Sequence, residues 1–264
     1  MNAIALGPLL FSAERFAAIV GIVAFYIVMV AAGRVVKRPL GDLALTMILA
    51  GGVGARLVHV LFHIESFAPE PLRILYIWQG GFNIWGSILG LLGVALWKAR
   101  RLPVFAGTAA AGVVGFGLWG FILLLSQQTS SAPLPRTALE TLDGERINLA
   151  QFQGEPLVIN LWATWCPPCV REMPMFAKAA QDNPDIAFAF VNQGEGRSEI
   201  EQFLTAQNLD LEHVILDPYW STSGHYESRG LPTTLFIDAD GTISATYPGE
   251  VSPELMNEQL AALQ

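Results

Sequence analysis

The sequence predicts an α-helical membrane domain of four transmembrane helices followed by a soluble α/β domain, and three observations carry that expectation. First, charged residues make up only 14% of the 264 and hydrophobic residues 52%, where an ordinary soluble domain carries about 25% charge. Second, the charge is segregated. Residues 1–130 hold nine Lys/Arg and four Asp/Glu, a net +5, whereas residues 131–264 hold six and nineteen, a net −13. A basic apolar half joined to an acidic half reads as membrane domain plus soluble domain, and the acidic half lacks the basic footprint that nucleic-acid binding requires. Third, the polar, Pro-containing stretch from Ser126 to Pro135 has no periodicity and reads as an extended tether. It divides the chain into a membrane domain at 1–125, a linker at 126–136 and a second domain at 137–264.

A transmembrane helix needs about 20 predominantly apolar residues. The runs are Phe16–Gly33, Leu43–Ile64, one within Ile74–Trp97 that is interrupted by Gly80-Gly81, and a fourth from Val104 to Leu125. Arg34, Lys37 and Arg38 follow the first run, and Lys98, Arg100 and Arg101 follow the third. The excess of Lys and Arg in cytoplasmic loops assigns both clusters to the cytoplasm. Four spans then leave the N-terminus and everything beyond Leu125 outside, in a multi-pass protein of a bacterial cytoplasmic (inner) membrane. A cleaved signal peptide fits the first run poorly, because its basic cluster follows the apolar stretch instead of preceding it.

The second run carries Arg56, His59 and His63. An arginine within a span is a functional-site hypothesis by default, since unpaired charge there costs several kcal/mol. His59 and His63 are one turn apart on one face. They read either as a ligand pair or as amphipathic residues near the interface, and no third ligand has a supporting spacing. The stretches Gly54-Ala55-Arg56-Leu57-Val58-His59 and Trp78-Gln79-Gly80-Gly81-Phe82-Asn83-Ile84-Trp85-Gly86-Ser87 resemble the front part of prolipoprotein diacylglyceryl transferase. Arg56 matches that family's Gly-Arg-Leu-Gly arginine. The family's His-Gly-Gly is replaced by Trp85-Gly86-Ser87, and Trp cannot carry a proton. The resemblance therefore implies an anchor with glycines for close helix packing, or a site for membrane lipid such as phosphatidylglycerol with Arg56 as its binding residue, but not the transferase reaction.

In the acidic half, Leu157–Trp162 and Ile186–Val191 are short continuous apolar runs that suit buried strands. Met173–Ala180, Glu199–Gln207 and Pro253–Leu263 have helical patterns, and His213–Leu216 reads as a short strand. Thr233–Ile237 and Thr242–Tyr247 flank Asp238-Ala239-Asp240-Gly241, a hairpin turn signal. Strands alternating with helices, then a hairpin and a helix, predict an α/β sandwich.

The chemistry lies in Cys166-Pro167-Pro168-Cys169, which holds the chain's two cysteines. A cysteine at a helix N-terminus meets unpaired N–H groups and the positive end of the dipole, which favour thiolate. Pro167 and Pro168 suit the first helical turn, because they have no N–H to leave unpaired. Cys169, one turn on, is within disulfide reach. A zinc site would need two further ligands, and His213 and His225 lack suitable spacing. A purely structural disulfide closing so small a loop constrains little. A redox-active pair is the expectation, with no other cofactor and no metal. Gly230-Leu231-Pro232-Thr233-Thr234 forms the second motif, with Pro232 lying 63 residues beyond Cys169.

Together with Phe152-x-Gly154-x-Pro156, these residues resemble the thioredoxin superfamily, and within it the membrane-tethered TlpA/ResA/CcmG type. The resemblance implies a thioredoxin fold over Thr137–Gln264 and a cis peptide bond at Pro232. It also implies a substrate-pairing backbone at Leu231 beside Pro167 and Pro168, and Trp165 shielding the attacking sulfur. Pro174 matches the kink of the active-site helix. Glu172 matches a glutamate linked to thiol acidity, although a solvated helix position is the alternative. Asn160 stands where thioredoxin itself has a buried aspartate, so that proton acceptor is missing. The implied function is an extracytoplasmic thiol-disulfide oxidoreductase that reduces protein disulfides, with cytochrome c or metal-site thiols as partners. Residues 1–130 hold no cysteine, so a separate membrane thiol reductase must supply electrons. The alternatives are a periplasmic thiol oxidase, and a lipid- or lipoprotein-binding protein whose redox domain keeps a substrate cysteine reduced.

Overall fold

The computed structural model describes residues 3–6, 9–98, 102–126 and 132–264. It divides into two compact units: Ala13–Gln127, and Gln128–Gln264 together with Met1–Ser12. At the N-terminus, β1 (Ala3–Leu6) and β2 (Leu9–Ser12) pair antiparallel, an element the sequence pattern does not announce.

The first unit is helical. Its helices are α1 (Ala13–Val35), α2 (Gly41–Phe62), the single turn α3 (Ile64–Phe67), α4 (Ile84–Lys98) and α5 (Leu102–Ser126), with 3-10 turns at Pro71–Leu75 and Ile77–Gln79. Among the described residues three helices, not the four expected, are long and apolar enough to cross a membrane: Glu14–Val35, Gly41–Phe62 and Val104–Leu125. The expected third span reduces to the 15-residue α4, about 22 Å at 1.5 Å per residue against a hydrocarbon core of about 30 Å. The reason is local. Gly80 and Gly81 have φ of +82° and +77°, outside helical space, and the helix starts only after Asn83. The Asn83 Oδ1 accepts from the N–H groups of Trp85 (2.9 Å) and Gly86 (3.4 Å), which is N-capping.

Glycine lets the helices approach closely. A Cβ on Gly86 would stand 2.2 Å from the Gly54 carbonyl oxygen, and one on Gly90 2.2 Å from that of Ala50. These contacts pair α2 with α4 in antiparallel register. Gly21 and Gly115 do the same for α1 and α5, at 2.8 and 2.9 Å.

The second unit is built on a seven-stranded sheet ordered β4-β3-β7-β6-β5-β8-β9. The strands are β3 (Leu139–Thr141), β4 (Arg146–Ile147), β5 (Leu157–Trp162), β6 (Ala187–Gln193), β7 (Val214–Asp217), β8 (Thr233–Ile237) and β9 (Ile243–Pro248). β5, β6 and β7 are parallel, whereas β8 and β9 run antiparallel and β3 pairs antiparallel with β7. The helices are α6 (Pro167–Asp182), α7 (Arg197–Gln207), α8 (Ser221–His225) and α9 (Pro253–Leu263). Because side chains alternate across a strand, β5 feeds two cores. Val158 and Trp162 face Cys169, Met173 and Phe176 of α6, and Leu157, Ile159 and Leu161 face Leu149, Phe152 and Tyr226. Burial on both faces explains why β5 reads as a continuous apolar run. The expected elements appear with shifted ends, α6 starting six residues before its helical pattern does. The short β3, β4 and α8 are additions. Leu134, inside the expected linker, is buried in the second core, and the Pro133 and Pro135 carbonyls are held at 2.7 Å by His225 and 3.2 Å by the Ala150 N–H.

Candidate active site

β5 ends at Trp162, and the chain turns through Ala163-Thr164-Trp165 to Cys166, the N-cap of α6. Pro167 and Pro168 occupy the first helical positions. The Cys169 N–H is directed at Cys166 Sγ at 3.3 Å. This is the donor arrangement that stabilises negative charge on a capping atom, so the helix terminus favours a Cys166 thiolate once the pair is reduced. Cys166 and Cys169 are joined by a disulfide, with Cα atoms 5.3 Å apart. Cys166 is 3% exposed and Cys169 is fully enclosed. Of the two, Cys166 alone keeps some exposure.

The Leu231–Pro232 peptide bond is cis. Pro232 is buried and half-buried Leu231 packs against both cores, while the Pro232 carbonyl accepts from the Gly249 N–H at 2.8 Å. Trp165 lies open to solvent beside the disulfide.

Glu172 follows Cys169 by three residues, on the same face of α6, and is buried rather than solvated. Burial pushes its pKa up from 4.5 to about 8, against the lowering effect of hydrogen bonds from the Val251 N–H and Asn160 Nδ2, each at 3.0 Å. Asn160 lies on the α6-facing side of β5 and also donates to Thr234 Oγ1 at 3.2 Å. Its Oδ1 is buried without a partner among the described residues. Burial thus places, one helical turn beyond Cys169, a carboxyl whose pKa is raised to about 8.

The structure adds residues that the motifs did not single out. Glu195, at the C-terminal end of β6, accepts from the Thr164 N–H and Asn192 Nδ2, both at 2.7 Å, and from Thr164 Oγ1. It thereby grips the loop that carries Trp165 and Cys166. Asp217, ending β7, accepts from the Ser221 and Thr222 N–H groups at 2.9 and 2.7 Å, from Ser221 Oγ at 2.8 Å and from Gln193 Nε2 at 3.2 Å. Burial opposes charge on its carboxylate, yet those hydrogen bonds hold its pKa below the usual range. The available signal was positional, since sites in α/β sheets form at the carboxyl ends of parallel strands.

In the helical unit Arg56 is buried and donates to four backbone carbonyls: Nε to Ile74 (3.0 Å), Nη1 to Gly80 (2.7 Å) and Gly81 (3.0 Å), and Nη2 to Arg73 (2.8 Å). Irregular backbone at membrane depth must find such donors within the protein. Arg56 and Arg73 also lie over the Phe67 ring, at 5.3 and 5.1 Å. The His59 and His63 rings are 4.4 Å apart. Among the described residues, no group of three or more His, Cys, Asp or Glu side chains could hold a metal ion.

Comparison with known proteins gives a family match in each half of the chain. Residues 129–263 match the family model described as Redoxin, and residues 3–120 match that of prolipoprotein diacylglyceryl transferase. A thiol-disulfide oxidoreductase ResA of Halalkalibacterium halodurans is 30% identical over 122 residues, 46% of this chain and 69% of the relative. The thioredoxin-like protein YneN of Bacillus subtilis is 28% identical over 163 residues, 59% and 95% of the two chains. Among solved structures, a secreted Mycobacterium tuberculosis disulfide oxidoreductase described as homologous to E. coli DsbE aligns with a TM-score of 0.45 at 27% identity. That alignment covers 48% of this chain and 96% of the neighbour.

Proposed function

This chain belongs to the Redoxin family, among the ResA-type thiol-disulfide oxidoreductases, and from that premise we propose that it is a membrane-anchored reductant of protein disulfides on the extracytoplasmic face of a bacterial cytoplasmic membrane. The observation that carries the reading is the position of Cys166, capping α6 with the Cys169 N–H on its sulfur and Cys169 enclosed behind it. The Cys166 thiolate attacks a partner disulfide, one partner sulfur leaves as thiolate, and a mixed disulfide forms. Cys169, losing its proton toward Glu172, then attacks Cys166 Sγ and expels the second partner thiol, leaving the Cys166–Cys169 disulfide. Leu231 beside the cis proline is the edge for the partner's extended segment, flanked by Pro167 and Pro168. Partners are proteins whose cofactor attachment waits on free thiols, such as apocytochrome c or a copper site. With no cysteine before Cys166, electrons arrive from a separate membrane thiol reductase.

The basic clusters support this sidedness. The antiparallel packing of α4 on α2 brings Lys98 back toward the end of α2 that follows Arg34, Lys37 and Arg38. In this reading the stretch from Ile64 to Lys98 returns the chain to the basic side, and α5 carries it out again. The test is Cys169→Ser, which should arrest the mixed disulfide and yield covalent adducts identifiable by mass spectrometry. Absence of any adduct from a reduced, folded protein sinks the proposal.

The similarity of residues 3–120 to prolipoprotein diacylglyceryl transferase favours a second reading for the membrane half. In it, a phospholipid such as phosphatidylglycerol or a lipoprotein binds near Arg56, and the redox domain keeps the lipoprotein cysteine reduced. Phospholipid that co-purifies with the wild type and is lost from a folded Arg56→Ala variant would support it.

A further inference from the structure

Beside the disulfide lies an aromatic surface that the exchange chemistry does not use. Trp165, the neighbour of Cys166, is 61% exposed. Tyr219 and Trp220, in the turn between β7 and α8, are 89% and 39% exposed. The Trp165 and Trp220 ring centroids are 6.4 Å apart with the planes tilted by 36°. Trp220 holds a left-handed backbone, φ +57°, which bulky residues adopt rarely. Its surroundings impose that conformation. The Asp217 carbonyl accepts from the N–H groups of Trp220 (3.3 Å) and Gly194 (3.0 Å), while the Asp217 carboxylate caps α8 immediately after Trp220. The indole lies over Gly194, where a Cβ would meet Trp220 Nε1 at 2.6 Å. The ring is thus preset at the surface instead of being withdrawn into the core.

We propose that Trp165 and Trp220 form a preformed seat for a large apolar side chain flanking the reactive cysteine of the partner protein. This makes Trp220 a specificity-determining residue. The inference rests on the disulfide-exchange reading of the same site. The seat adjoins the sulfur that a partner must reach, so a segment delivering its cysteine to Cys166 runs past Trp165. An indole pair without formal charge gains from apolar contact that releases water from both surfaces, and an aromatic side chain gains most.

The test uses the full chain in lipid nanodiscs, reduced with dithiothreitol and desalted. It is reacted in single turnover with disulfide-bonded peptides that differ only in having Phe, Lys or Asp beside the cysteine. Each turnover converts one peptide disulfide to two thiols and the protein dithiol to its disulfide. The Phe peptide should react about tenfold faster than the Asp peptide. Trp220→Ala should bring that ratio near one, Trp220→Phe should keep most of it, and Trp165→Ala should lower it independently. A folding defect slows all peptides alike and leaves the ratio standing. Equal rates in the wild type, a faster Lys peptide, or an unchanged ratio in folded Trp220→Ala would overturn the inference while leaving disulfide exchange intact. Failure of every peptide to react would overturn the exchange reading itself.

Discussion

Glu172 is the residue whose environment departs furthest from that of its type. Its carboxyl ionises at 4.5 in an unperturbed setting and at about 8 in the fold, so between those values the folded protein holds a proton that the unfolded chain has lost. The stabilisation tied to this group is complete below pH 4.5 and falls as pH rises toward 8. Urea midpoints of the oxidised protein should decline across that window, and Glu172→Gln should flatten the decline. A wild-type midpoint that rises from pH 5 to 8 with no change in Glu172→Gln would refute the assignment. If Glu172 also takes the Cys169 proton, the same variant should slow resolution of the mixed disulfide by about 100-fold, the lower end of general-base contributions, as measured by the lifetime of the trapped species. The motif pointed to Glu172, but whether it was buried or solvated depended on β5, Val251 and Asn160, which only the fold brings together.

Among the elements, α2 and α4 carry the clearest consequences. Their axes approach through Gly54, Gly86 and Gly90, so Gly86→Leu forces a side chain into a backbone carbonyl. Overpacking of that kind costs about 1–3 kcal/mol, and thermal melting in detergent should register it, whereas the same change at Gly93, which has open space around it, should not. Arg56 secures the stretch from Arg73 to Gly81 through four carbonyls. Arg56→Lys offers one ammonium in place of a planar fork, and proteolysis between residues 64 and 83 should accelerate. Both features join α2 to the apolar run that falls short of a full span. Its hydropathy was legible from sequence, but its division into 3-10 turns and a capped 15-residue helix was not, because the positive φ of Gly80 and Gly81 is one of several conformations glycine permits.

At the scale of the molecule, the two units make separate cores, one in the helical unit and two on the faces of the seven-stranded sheet. Residues 132–264 should therefore fold and exchange disulfides without the membrane half. The boundary is set by packing: Leu134 is buried against Ile147 and Leu149. A chain beginning at Thr137 should be less stable than one beginning at Ala132 by about 2–5 kcal/mol, the cost of deleting a buried leucine side chain, as read from urea midpoints. In intact cells, a membrane-impermeant maleimide should label reduced Cys166, and protection until lysis would place the redox domain on the cytoplasmic side.

Sequence alone determined what short-range chemistry determines: the split between an apolar basic half and an acidic α/β half, the cysteine pair with prolines in its first turn, the proline before β8, and the absence of cysteine from the membrane half. These follow from residue type and spacing, which local backbone preference and burial convert directly into elements. Only the tertiary structure decided that Glu195 holds the loop before Cys166, that Asp217 and Gly194 set Trp220 beside Trp165, and that Arg56 spends donors on a neighbouring stretch of backbone. Each joins residues that are distant in sequence or depends on which of several allowed conformations packing selects. A hydrogen bond across 31 positions, such as Thr164 to Glu195, leaves no periodic trace in the chain that encodes it.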